Sequence, residues 1–212
     1  MVTVILVRHG ETEWNRREIF RGRADVKLNR RGRDQARALS LALEERDLGA
    51  VYSSPLSRAV ETAEAVAEPH GMPTEIEDGF VDFDYGLWQG LPHAEVRQRY
   101  PRMHRDWVER PHTVRMEGGE SLRMVRRRAM QALMRVVDKH QDETVAIVAH
   151  RVVNKVVLCA VLELDNSHFW RIQQDTCALN VFQWSHGRFV IRLLNDTCHL
   201  KHVSGDRLTT DF

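Results

Sequence analysis

The chain has 212 residues, 42% of them hydrophobic and 29% charged, which suits one globular domain or one domain carrying an insertion. Lys plus Arg (31) nearly cancels Asp plus Glu (30), leaving a net charge of +1. This balance lacks the electrostatic footprint of a protein that binds nucleic acid or an anionic membrane in bulk.

The chain opens with an apolar run, Val2 to Val7, that reads as a strand buried on both faces. The run is too short to span a bilayer and has no charged leader or small-residue cleavage site around it, so a cytoplasmic protein is expected. Ala36, Leu39, Ala42 and Leu43 share one helical face between Gln35 and Glu45. Ala50-Val51-Tyr52 reads as a short strand. A helix is expected to start at once, with Ser54 as its N-cap and Pro55 in its first position. Leu56, Ala59, Val60, Ala63 and Val66 form the apolar stripe, Gly71 and Pro73 end the helix, and an edge strand is expected at 74–77.

From about 78 to 119 the pattern is irregular and rich in Trp, Tyr, His, Pro and Arg. It is expected to form an excursion or lid over the sheet, with short helices at 93–100 and 103–109. Gly118-Gly119-Glu120-Ser121 introduces a long helix, from Leu122 to about His140. Thr144 to Ala149 is a second buried strand, and a helix follows from Val152 to Leu162. A terminal hairpin turns around Ser185-His186-Gly187; its last apolar strand could pair across a homodimer interface. Strands alternating with helices predict an α/β fold: a three-layer α/β/α sandwich with a mostly parallel central sheet, in a single domain over 1–212. The cysteines (Cys159, Cys177 and Cys198) are widely spaced and form no CxxC pair. Reduced, mostly buried thiols are expected, rather than a zinc site or a disulfide framework.

Ligands of open α/β sheets bind beyond the carboxyl ends of the strands. Three such places interrupt the apolar pattern with polar residues: Arg8-His9-Gly10, Ser53 to Arg58, and His150. Gly10 permits close backbone approach. A neutral imidazole at His9 can attack phosphorus and later release it, and Arg8 can neutralise the non-bridging oxygens during transfer. An isolated Arg-His pair is cheap, and a loop histidine beside a surface ion pair is the bland alternative.

The wider run Arg8-His9-Gly10-Glu11-Thr12-Glu13-Trp14-Asn15 resembles the signature of the histidine phosphatase superfamily, which includes the cofactor-dependent phosphoglycerate mutases. Further blocks follow in the family's order. They are Leu28-Asn29-Arg30-Arg31-Gly32, Ser53-Ser54-Pro55-Leu56-Ser57-Arg58-Ala59, Gly86-Leu87-Trp88-Gln89-Gly90, Gly118 to Ser121, and Val148-Ala149-His150. The resemblance spans roughly residues 2 to 160. It implies a phosphohistidine at His9 and a phosphate pocket built from Arg8, Asn15, Arg58 and His150, with no metal and no cofactor. A helix N-terminus near Arg58 would add its own preference for anions.

This chain departs from the family pattern in three places. Where relatives carry a general-acid Glu it offers Asp82, with Asp84 as the competing candidate and Glu13 a distant third. Arg151 follows His150 where many relatives have glycine; it either reaches the phosphate or points to solvent, the second being favoured. In Arg21-Gly22-Arg23, one arginine is expected at the pocket mouth, favouring an acidic substrate; Arg21 and Gly22 are the candidates for substrate contact. The aromatics Phe80, Phe83, Tyr85, Trp88 and Trp107 either touch the substrate or pack the excursion on the sheet, the commoner role.

The leading expectation is therefore a phosphomonoesterase acting on a small phosphorylated metabolite. A phosphoglycerate mutase is the alternative within the family. A noncatalytic phospho-ligand binding module is the alternative of another class.

Overall fold

A computed structural model describes residues 1–203; the end of the expected domain, 204–212, lies outside the described residues. Six strands form one sheet: β1 (Val2–Arg8), β2 (Ala50–Ser53), β3 (Thr74–Ile76), β4 (Thr144–Ala149), β5 (Leu179–Ser185) and β6 (Arg188–Asp196). Their order is β3-β2-β4-β1-β5-β6, with β1 to β4 parallel, β5 antiparallel to β1, and β6 antiparallel to β5.

Successive side chains of a strand point to opposite faces, so the continuous apolar runs supply two cores. Val4 and Leu6 of β1 join Val145, Ile147 and Ala149 of β4 on one face. Ile5 and Val7 join Ala146 and Val148 on the other. The second face is covered by helices α2 (Arg30–Leu43) and α3 (Ser57–Ala67), which bury Leu39, Leu43, Ala59, Ala63 and Val66. The first is covered by α6 (Leu122–Lys139) and α7 (Arg151–Val161) through Val125, Ala129, Leu133, Val153 and Val156. This is the expected three-layer α/β/α arrangement. The one-turn helix α1 (Glu13–Arg16) follows β1.

The excursion between β3 and α6 carries 3-10 turns at Asp78–Phe80, Gly86–Trp88 and Pro111–Thr113, with helices α4 (His93–Arg99) and α5 (Pro101–Glu109). Helix α4 stops one residue short of the expected Tyr100, because the residue before a proline is pushed out of the helical region. Its aromatics are packing residues. Phe80, Phe83, Tyr85, Trp88 and Trp107 are all buried in the first core, with Phe83 and Trp107 stacked at 5.4 Å between ring centroids.

The start of α3 differs from expectation. The helix begins at Ser57, and Leu56 precedes it without a side-chain cap. Ser54 lies ahead of the helix, with its hydroxyl 2.6 Å from Nε2 of His150 and accepting from the Leu56 N–H at 3.4 Å. A carboxylate from a distant loop takes over: Asp25 accepts from the Ser57 N–H at 2.8 Å and from the Ser57 hydroxyl at 2.7 Å. The anion preference of this N-terminus is thus met by the chain itself. Among the thiols, Cys159 and Cys177 are buried as expected, but Cys198 is exposed in the turn after β6. No helix of the described residues is long and apolar enough to cross a membrane.

Candidate active site

The carboxyl ends of β1, β2 and β4 meet because these strands are neighbours in the parallel part of the sheet. Arg8 is the last residue of β1, His9 follows it, and His150 follows β4. Arg58 lies in the first turn of α3, beyond β2. Arg58, His9 and His150 are fully buried, and Arg8 and Asp82 nearly so. The rings of His9 and His150 lie 5.1 Å apart.

The two imidazoles are held in defined roles. His9 Nδ1 lies 2.6 Å from the Gly10 carbonyl oxygen. A carbonyl only accepts, so Nδ1 carries the hydrogen and Nε2 keeps its lone pair. Nε2 is buried with no hydrogen-bond partner among the described residues, as a nucleophile awaiting a ligand would be. His150 Nε2 is held by Ser54, while Nδ1 faces Asp82 Oδ2 at 3.6 Å. A lone pair there would face a carboxylate, so the favoured tautomer has the hydrogen on Nδ1 and Ser54 donating to Nε2. Burial is the main reason that the pKa values of both histidines lie well below that of an ordinary imidazole; Arg58 is the next cause in each case. Both rings are therefore neutral near pH 7, the form that attack by His9 requires.

Arg58 is anchored from two sides: Nη1 donates to the Ala24 carbonyl at 2.8 Å, and Nη2 to the Gly22 carbonyl at 2.7 Å and to Asp82 Oδ2 at 2.9 Å. Gly22 thus presents its carbonyl to Arg58. Its φ of +49°, with a Cβ only 2.5 Å from Gln89 Oε1, requires glycine. The Arg8 guanidinium donates to the Gln174 carbonyl.

Asp82 and Asp84, the rival acids, have different surroundings. Asp82 faces Arg58 and His150. Asp84 accepts from the Gly86 N–H at 2.9 Å and lies 3.7 Å from Arg23, as a turn-capping residue does. Glu13 is exposed and lies 3.9 Å from Arg16. Arg151 is buried, only 7% exposed, which corrects the solvent-facing expectation. Its guanidinium lies 6.0 Å from the centroid of the Trp170 ring, a cation–π contact. Arg21 lies among Arg8, Arg58 and Arg151; burial first, and those cations next, push its pKa well below the usual guanidinium value. Arg23 turns away, toward Asp84 and Glu120. Asn15 forms a capping box with Thr12: its Oδ1 accepts from the Thr12 N–H and hydroxyl, at 2.9 and 2.8 Å. Its NH2 group is the donor that remains for a phosphoryl oxygen.

Several supporting residues were not anticipated. Beneath Arg8 lies a buried amide network. Gln174 Nε2 donates to Asn180 Oδ1 at 2.8 Å, Asn180 Nδ2 returns to Gln174 Oε1 at 2.9 Å, and Asn154 Nδ2 joins at 3.3 Å. The available signal was the presence of Asn154 and Asn180 inside otherwise apolar stretches; Gln174, in a polar run, carried none. Among the described residues no cluster of three or more His, Cys, Asp or Glu could hold a metal ion.

The family model "Histidine phosphatase superfamily (branch 1)" matches residues 4–197, reaching past His150 to the terminal hairpin. Phosphoserine phosphatase 1 of Hydrogenobacter thermophilus is 40% identical over 200 residues, covering 94% of this chain and 95% of that protein. The solved structure of Bacillus stearothermophilus YhfR superposes with a TM-score of 0.91 at 32% identity, covering 95% of this chain and 100% of the other. A phosphoserine phosphatase from Entamoeba histolytica, solved as a mutant with phosphoserine, superposes with a TM-score of 0.86 at 25% identity, covering 94% and 100%.

Proposed function

The chain belongs to branch 1 of the histidine phosphatase superfamily, and from that footing we propose that it hydrolyses a small phosphate monoester through a phosphohistidine on His9. The observation that carries the reading is the buried, unpartnered Nε2 of His9, its lone pair kept available by the Nδ1–Gly10 contact at 2.6 Å.

In the first step Nε2 attacks phosphorus, the N–P bond forms, and the P–O bond to the alcohol breaks. Asp82 gives its proton to the departing alkoxide. In the second step Asp82 takes a proton from water, the water oxygen attacks phosphorus, and inorganic phosphate leaves with His9 neutral again. Arg8, Arg58, the Nδ1–H of His150 and the Asn15 amide hold the non-bridging oxygens throughout, where positioning and electrostatics dominate catalysis.

The inward-facing Arg21 and Arg151 add cationic charge beyond what one phosphate needs, which supports a substrate bearing a second acidic group. The relative named phosphoserine phosphatase 1 makes phosphoserine the first compound to test. The decisive experiment measures phosphate release from phosphoserine and 3-phosphoglycerate, alongside formation of 2-phosphoglycerate. An acid-labile, base-stable phosphoenzyme that His9→Ala abolishes together with turnover supports the proposal. Isomerisation without phosphate release would replace it with a mutase, and turnover that survives His9→Ala would end both readings.

A further inference from the structure

The Gly118 to Ser121 block and the middle of α6 have no place in the steps above, yet together they hold the segment that carries Asp82. Arg128, on α6, grips that segment by its backbone: Nη1 donates to the Gly79 carbonyl at 2.9 Å and the Val81 carbonyl at 2.5 Å, and Nη2 to the Asp82 carbonyl at 3.0 Å. Its Nε and Nη2 also donate to the two carboxylate oxygens of Glu120, both at 2.9 Å, a planar fork-to-fork pair. Glu120 Oε2 in turn accepts from the Asp84 N–H at 3.1 Å, while the Glu120 N–H donates to the Asp84 carbonyl at 3.0 Å. Residues 79 to 84 are thus clamped on both sides of Asp82.

The glycines report the same close fit. A Cβ on Gly79 would lie 2.5 Å from the Ala132 Cβ on α6, and one on Gly119 would lie 2.3 Å from the Asp84 carbonyl oxygen. The excursion backbone therefore rests directly on α6 and on the glycine turn. The Phe83 N–H donates to Asp82 Oδ1 at 2.8 Å, which carries this backbone constraint to the carboxylate. Glu120 is nearly buried, yet its pKa is lowered: burial opposes ionisation, and Arg128, the Asp84 N–H and Arg23 together outweigh it.

We propose that Arg128 and Glu120 are positioning residues for proton transfer, a brace that holds Asp82 at the leaving-group oxygen without touching the substrate. The proposal rests on the reading of Asp82 as the general acid. A shift of about 1 Å in a catalytic group costs on the order of a hundredfold in rate, and Arg128 is the side chain whose planar fork a lysine cannot reproduce.

The test compares an alkyl ester, phosphoserine, with p-nitrophenyl phosphate, whose leaving group departs without a proton. Arg128→Lys and Glu120→Gln are expected to lower kcat/KM, which reports only the steps up to release of the alcohol, by about ten- to a hundredfold on the alkyl ester, while kcat/KM on the aryl ester changes by less than about threefold, the pattern of a lost proton donor. Retained aryl turnover in the same samples also reports an intact phosphate site and fold. Equal losses on both esters, or no loss on either, would overturn the brace. Asp82→Asn is the reference: if it lowers kcat/KM equally for both esters, the acid assignment itself fails, whereas ester selectivity of kcat/KM in Asp82→Asn but not in the brace variants rejects the brace alone.

Discussion

Asp82 Oδ2 lies 2.9 Å from Nη2 of Arg58, a contact between two buried groups that are both proposed to act on the phosphate. The carboxylate therefore competes with the incoming dianion for one guanidinium. Asp82→Asn is expected to bind orthovanadate or inorganic phosphate about tenfold more tightly, the equivalent of one charge-assisted contact, even as kcat on phosphoserine falls by about a hundredfold or more. Competitive inhibition constants measured against p-nitrophenyl phosphate check this. Weaker binding in the variant would show that Asp82 does not compete with the anion.

Ser54 is expected to act through His150. Removing its hydroxyl leaves Nε2 of a fully buried imidazole without the partner now at 2.6 Å and frees the ring to adopt the other tautomer. Ser54→Ala should lower kcat by about tenfold, with Ser54→Thr restoring most of it. Nitrogen-15 chemical shifts of His150 provide the direct readout: a wild-type ring protonated at Nε2 would contradict the assigned tautomer.

Gly10 and Gly32 bring the His9 loop against the start of α2. A Cβ on Gly10 would fall 2.5 Å from the Gly32 carbonyl oxygen, and one on Gly32 would fall 2.0 Å from that of Glu11. Gly10→Ala should therefore displace the carbonyl that orients His9, costing about 1–3 kcal/mol in stability and about tenfold or more in kcat. Urea denaturation and steady-state kinetics measure the two effects separately. Unchanged kcat in the folded variant would show that the Gly10 carbonyl does not orient the nucleophile.

Acid should destabilise this fold before its carboxylates titrate. His9 and His150 have folded pKa values well below 6.5, and burial with nearby arginines lowers that of His93 to about 3. Below about pH 6.5 the unfolded chain takes up protons that the native rings refuse. Their contribution is complete above that pH and is lost as the pH falls toward the folded values, with a limiting slope of about 1.4 kcal/mol per pH unit for each ring. Urea midpoints between pH 8 and 5 should decrease toward acid, and His150→Asn should flatten the dependence. A wild-type midpoint that is flat over this range would contradict neutral, buried rings.

Much of this architecture could be read in the order of residues. The β-branched runs at 2–7 and 144–149 and the stripe of Leu122, Val125, Ala129, Leu133 and Val136 in α6 left little freedom, because each forms a continuous apolar surface that only one kind of element can bury. His9, Arg58 and His150 were visible as polar interruptions at strand ends. The start of α3 was misread because local capping rules consider only neighbours. The helix starts at Ser57 rather than Pro55, and the carboxylate that accepts from its first N–H, Asp25, lies 32 positions away. Arg151 was misjudged for a similar reason: the aromatic ring that receives its guanidinium, Trp170, lies in a later 3-10 turn. Arg128 and Glu120 looked like an ordinary helix-face cation and a loop acid, since nothing in their spacing reveals the carbonyls they hold.

Asp82 is carried by the excursion, whereas His9, Arg58 and His150 sit at or just beyond the ends of the sheet strands. The proposed proton donor thus travels with the segment between β3 and α6, while the phosphoryl-handling groups stay with the scaffold. An insertion or deletion in that segment would reset how the alcohol is activated on leaving, while the phosphate-holding residues stay those of the scaffold. Leaving-group chemistry is therefore inherited separately from the phosphate grip in this chain, and grafting the 78–119 segment between relatives should transfer the first trait without the second.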